Sequence, residues 1–234
     1  MIRGHWRAPV RAVVALSSVW LLSAAAPPFD AGPVIEVPRG APVVIDGVIG
    51  EDEWRGASTQ PLPDGGTLRL RHDGAFLFVG ISAASQGFPS LCAATDVVRV
   101  LHASAALGSV TYRRDGAEWT ASETEFVYGM RTADLTDAAR EERRRYLAEH
   151  GWVASTFNMG DGRAQEMQIS VALISKTPAI ALGYHANAMT GGTVVPWPAA
   201  IATSDGCVNA QLVRGFVPPR LRFDPATWVT LRLQ

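Results

Sequence analysis

A chain of 234 residues, 47% apolar, 8% aromatic and 18% charged, is long enough to bury one sizeable core with room for a small insertion. Its formal charge of −1 excludes a dedicated nucleic-acid binder or a polybasic membrane-surface protein, since both need a positive field to gather phosphates. The 22 glycines and 15 prolines, spread along the whole length, suit many short strands joined by turns better than long helices.

The chain begins with Arg3, Arg7 and Arg11, then an apolar run from about Ala12 to Ala26, then Pro27-Pro28. A positive flank, a short greasy stretch and small residues before a cut are the layout of a secretory signal peptide, here 1–26, with Ser23-Ala24-Ala25 offering the cleavage site. An uncleaved anchor is the alternative, but the run falls short of the ~20 residues that span a bilayer. No cysteine lies in the leader, which argues against a lipoprotein. With the leader removed, 18 basic residues face 22 acidic ones, a net charge of −4, and no membrane attachment is expected.

Residues 27–234 then read as strands. Pro42–Asp46 is the first. Thr67–His72 alternates polar and apolar, Asp73-Gly74 turns the chain, and Phe76–Ile81 returns it, a hairpin pattern. Asp96–His102, Ser109–Arg114, Glu125–Met130, Trp152–Phe157, Gln165–Leu173, Val208–Phe216 and Trp228–Leu233 follow, with turn signals at Asp115-Gly116, Asp161-Gly162, Gly191-Gly192 and Asp205-Gly206. So many short strands without long helices predict an antiparallel β-sandwich.

One segment breaks the pattern. Asp134–His150 is charged, lacks Gly and Pro, and stops at Gly151, so the spacing predicts a helical insertion capped by Asp134. Leu135, Ala139, Tyr146 and Leu147 form its thin apolar stripe, while Arg140, Glu141, Arg143 and Arg144 are expected to face water. The run Arg143-Arg144-Arg145 offers a grip on an acidic partner, although a charge run on a helix is usually a solvated face.

Cys92 and Cys207 most simply form one disulfide in an exported chain, with two buried thiols as the alternative. No Cys-x-x-Cys or His-x-x-His spacing suggests a metal site around them.

The most specific stretch is Val44-Ile45-Asp46-Gly47-Val48-Ile49-Gly50-Glu51-Asp52-Glu53-Trp54. Asp46 is placed to bond the amides of its own turn, Gly47 to take a positive φ, and Trp54 to bury a large ring whose N–H needs a partner. Together with Leu68–His72, Asp73-Gly74, Phe76–Ile81 and the later Glu166-x-x-Ile169 strand, it resembles the family 9 carbohydrate-binding modules and their DOMON-like relatives. The resemblance covers about 44–83 and 165–173. It implies a β-sandwich, often exported, that binds glycans or, in some relatives, haem. The start motif belongs to the scaffold rather than to a binding site.

Glycan binding calls for flat aromatic faces and direction-setting polar groups. Trp119, Trp152 and Trp197 are the candidate stacking platforms, whereas Trp54 and Trp228 are assigned to the core. Haem ligation would draw on two of His72, His102 and His185, or on one of them with Met130, Met159 or Met189, though no spacing singles out a pair. His102 and Ser104 are expected on one strand face, but Gly-x-Ser-x-Gly is absent and small-residue sheet packing is preferred there. Glu51, Asp52 and Glu53 in a turn, and Glu123 with Glu125, are the carboxylate groupings that a hydrolase or a calcium ion would use. The reading that results is a non-catalytic glycan-binding module. A haem-binding redox module, a hydrolase and a purely partner-binding role are the alternatives.

Overall fold

The computed structural model describes residues 32–128, 136–155, 162–187, 190–209, 212 and 216–234. The expected leader, Asp134, Met130, Met159 and Met189 lie outside the described residues. The protein is mainly β, and its strands form two sheets.

The smaller sheet has five strands in the order β2 (Ser58–Pro61), β3 (Thr67–His72), β4 (Phe76–Ser82), β10 (Ala164–Ser170), β9 (Trp152–Ala154), all antiparallel. The larger runs β1 (Val34–Val37), β14 (Val229–Leu233), β11 (Ala179–Ala186), β5 (Gly87–Ala94), β6 (Val98–Ala103), β7 (Ala106–Asp115), β8 (Glu118–Tyr128), β13 (Arg220–Leu221). The strand β12 (Thr193–Trp197) pairs with β11 beside β14. Only β1 against β14 is parallel in this sheet. The predicted hairpin forms with Asp73 Oδ1 accepting from the amides of Ala75 and Phe76, and Gly74 at φ 106°.

Alternation sorts each strand between two cores. Leu68, Leu70, Leu77, Val79, Met167 and Ile169 of the small sheet meet Leu91, Leu101, Leu107, Ile180 and Leu182 of the large one, all buried. Large apolar side chains buried in this way contribute roughly 1.5–3 kcal/mol each. The other face of the large sheet carries Cys92, Val98, Val100, Val110, Tyr112 and Trp119, and the C-terminal segment with Ile201, Cys207, Phe223 and Trp228 covers it. The Cys92–Cys207 disulfide, Cα–Cα 5.9 Å, ties β5 to that cover.

Two buried carboxylates clasp the covering segments. Glu166 on β10 accepts from the Asp46 and Gly47 amides (3.1 and 2.9 Å) and from Trp54 Nε1 (3.0 Å). Gly80, paired with Glu166 across the strands, leaves room for the Trp54 ring, since a Cβ there would stand 2.8 Å from it. Asp205 likewise accepts from the Cys207 and Asp224 amides and from Trp228 Nε1 (3.1 Å). Burial raises both carboxyls, Glu166 to about 7.

Three expectations are corrected. Pro42–Asp46 is loop, because Val43 and Ile45 bury themselves over the small sheet without pairing to a strand. In place of a strand from Val208, a short helix α3 (Gly206–Asn209) begins under the Asp205 cap, and residues 210–211 and 213–215 lie outside the described residues. The expected strand Gln165–Leu173 ends at Ser170 and turns into α2 (Val171–Ile174).

The insertion is α1 (Asp137–His150), capped by Thr136 Oγ1 accepting from Ala139 N and ended by Gly151 at φ 73°. Arg143 departs from expectation, being buried with Ala139 and Tyr146 rather than facing water.

Candidate functional site

The two sheets differ in width, and that difference creates the site. The small sheet ends at β9, so the inner face of β6, β7 and β8 extends beyond an apolar partner. There the register places two rows side by side: Arg99, Thr111 and Glu123 in one, Leu101, Ser109 and Glu125 in the next. Directly opposed residues of antiparallel strands share a face, so each row is a set of neighbours. His150 at the end of α1, Trp152 on β9 and Leu173 on α2 close the other side, leaving a pocket of about 170 Å³.

A bulge in β8 makes this arrangement. Between the pairs Thr111–Glu123 and Tyr112–Ala121, β8 advances two residues while β7 advances one, which leaves Ser122 extra. Its hydroxyl donates to the Thr111 carbonyl at 3.1 Å. Parity therefore switches at Ser122. Trp119 and Ala121 face the outer core, while Glu123 and Glu125 face the pocket.

Polar groups converge on the pocket. His150 Nδ1 lies 2.8 Å from Glu125 Oε2, and its ring packs on Tyr146 with centroids 4.1 Å apart. Trp152 is fully buried, edge-on to Tyr146, and its indole N–H has no hydrogen-bond partner; neither has the Tyr146 hydroxyl. Burial, together with the nearby Glu125 and Glu149 charges, raises the Tyr146 phenol.

The structure distributes the sequence-predicted residues unevenly. Trp119 (3% exposed), Trp152 (0%) and Trp197 (4%) are all buried. None offers an open face for stacking: Trp119 packs against Phe223, and Trp197 lies in the inter-sheet core. Trp152 is nevertheless among the residues that line the pocket. Trp54 and Trp228 are core residues as expected, and Asp46 Oδ1 accepts from Val48 N within its own turn. Gly47 takes φ 81°.

His102 and His185 sit on the outer face of the large sheet on either side of Phe88, with ring centroids 5.1 and 5.2 Å from it. His72 lies on the inner face of the small sheet. Burial holds His102 at about 3 and His185 at about 4, so both are neutral. The hydroxyl beside His102 is that of Ser90, at 2.9 Å from Nδ1; β6 ends before Ser104, which lies in the following turn. Glu51, Asp52 and Glu53 are dispersed around a turn, where Glu53 accepts from Val44 N and Asp52 pairs with Arg55. Among the described residues no cluster of three or more His, Cys, Asp or Glu is arranged to hold a metal ion.

Arg99, Ser109, Thr111 and His150 escape sequence reasoning, because only strand register brings them to Glu123 and Glu125. Also among the described residues, no helix is long and apolar enough to cross a membrane. Set against known proteins, the chain matches no family model, no curated protein and no solved structure.

Proposed function

We propose that this protein is an exported, non-catalytic binding module that takes one sugar unit of a glycan in the pocket between β6–β8 and the β9 edge. The observation that carries the reading is the unpartnered, buried Trp152 indole N–H in a pocket also lined by Arg99, Glu123, Glu125 and His150. Sugar hydroxyls both donate and accept, so they pair with carboxylates, a guanidinium, an imidazole and an indole N–H alike. A buried donor without a partner costs roughly 1–3 kcal/mol, which a ligand oxygen reaching it would recover. The volume is below the roughly 300–1,000 Å³ of sites for drug-sized ligands, in keeping with a single ring or chain end. Recognition here rests on edges and hydrogen bonds rather than stacked faces.

The disulfide supports export, since such bonds persist in oxidising compartments. The clasp of Glu166 on Asp46, Gly47 and Trp54 gives a physical role to the residues that carry the resemblance to family 9 carbohydrate-binding and DOMON-like modules. A hydrolase is the second reading, favoured by Glu123 and Glu125 on one strand face. Their Cα atoms are two residues apart, roughly 7 Å by strand rise, and both side chains line the pocket.

A glycan array probed with residues 27–234, and with Glu125→Gln and Arg99→Gln, tests both. Binding of a defined glycan set that weakens about tenfold or more in each variant is expected, as loss of a charge-assisted hydrogen bond entails. Equal signals for all three proteins would refute the site, and turnover of a bound glycan would select the hydrolase.

A further inference from the structure

On the opposite face of β9, where Val153 points rather than Trp152, a second cleft of about 280 Å³ opens between α1 and the loop that carries Asp46. One wall is Arg140, Arg143, Arg144 and Leu147, at positions i, i+3, i+4 and i+7, which form a single helical face. The rest is Val44, Ile45, Asp46, Val153 and Gln168. Arg143 is buried on this face, while Arg140 and Arg144 stand exposed at the cleft's rim.

We infer that this cleft is a binding site for a small organic carboxylate with an apolar body. Guanidinium forks match carboxylate oxygens two at a time, and an ammonium does not. Arg140 and Arg144 currently engage Asp137 (3.0 Å) and Glu141 (2.5 Å), each three residues back and itself 98% and 54% exposed. Exposed pairs of this kind are worth little, roughly 0–1 kcal/mol, so a ligand carboxylate held over the cleft competes with them. Val44, Ile45, Leu147 and Val153 supply the surface for the hydrocarbon part, and Val44 is 61% exposed. Asp46 sets a limit on charge, since a polyanion would meet its carboxylate. The site is separate from the sugar pocket and does not depend on that reading.

Isothermal titration of residues 27–234 with octanoate, acetate, octanol and glucuronate at low ionic strength tests the inference. Saturable binding of octanoate is expected, with acetate, octanol and glucuronate each weaker by about tenfold or more, because each lacks one half of the recognition. The double variant Arg140→Gln/Arg144→Gln, on exposed positions, is expected to keep the wild-type melting temperature and to weaken octanoate by about tenfold or more. No saturable octanoate binding would overturn the site, as would equal affinity for octanol, acetate or glucuronate. Unchanged affinity in the double variant would overturn it too.

Discussion

Glu166 and the two buried histidines respond to pH in opposite directions. Burial raises Glu166 to about 7, so the folded protein binds this proton more tightly than the unfolded chain does. Its contribution to stability is therefore fullest below the ordinary carboxyl range and is lost as pH rises towards 7. His102 and His185, held at about 3 and about 4, are neutral in the fold; their contribution is complete above their ordinary value of 6.5 and is lost as pH falls below it. Replacing Glu166 by Gln is expected to remove the carboxyl's slope alone. Thermal melts between about pH 5 and about pH 7 should then show the stability gap between wild type and Glu166→Gln shifting in the variant's favour as pH rises. A constant gap would contradict the raised carboxyl. At this scale the sequence was readable in part: Trp54 required a donor's partner, and Glu166 stood out in its strand, but nothing across a separation of 112 residues announced that they meet.

Elements announced themselves where alternation was clean. Thr67–His72 alternates half-buried and buried residues, so period two is visible there, and the Asp73-Gly74 turn marks Phe76–Ser82 as its hairpin partner although that strand is buried on both faces. Gly87–Ala94 and Ala179–Ala186 are buried on both faces, and their continuous small and apolar runs carry no alternation to read. In β8 the pattern misleads, because straight alternation would put Trp119, Glu123 and Glu125 on one face. The bulge at Ser122 separates them. Deleting Ser122 is expected to restore uninterrupted parity and force either the carboxylates into the outer core or Trp119 out of it. Burying an unpaired charge or losing a large core aromatic costs roughly 3–5 kcal/mol, to be measured by urea unfolding. Near-native stability with glycan binding intact would show that the bulge does not set the pocket. On α1, the stripe Ala139–Tyr146 was legible, whereas the burial of Arg143 between them was not, because a charge run on a helix reads as a solvated face.

For the molecule as a whole, a three-layer arrangement follows from unequal sheets. The large sheet needs cover on both faces, the small sheet on one side and the C-terminal segment on the other, and the disulfide fixes that segment to β5. Closing a loop of 115 residues restricts the unfolded chain by roughly 4–5 kcal/mol in the chain-entropy model. The double variant Cys92→Ala/Cys207→Ala is expected to lose stability of that order in denaturant unfolding, and a loss well under 1 kcal/mol would mean the cover holds without its bond. The sandwich and the pairing of the two cysteines were both legible in the sequence. The overhang of one sheet past the other was not, because strand width and order depend on which strands pair, and it is that overhang which opens the pocket.

The indole resonance of Trp152 reports on the pocket most directly. In a ¹H–¹⁵N spectrum, with the Trp152 signal assigned through Trp152→Phe, titration of the best glycan from the array is expected to move that indole peak in a saturable manner. Trp119, Trp197 and Trp228 should stay in place. Saturable glycan binding that leaves the Trp152 peak unmoved would contradict the assignment of the pocket as the sugar site.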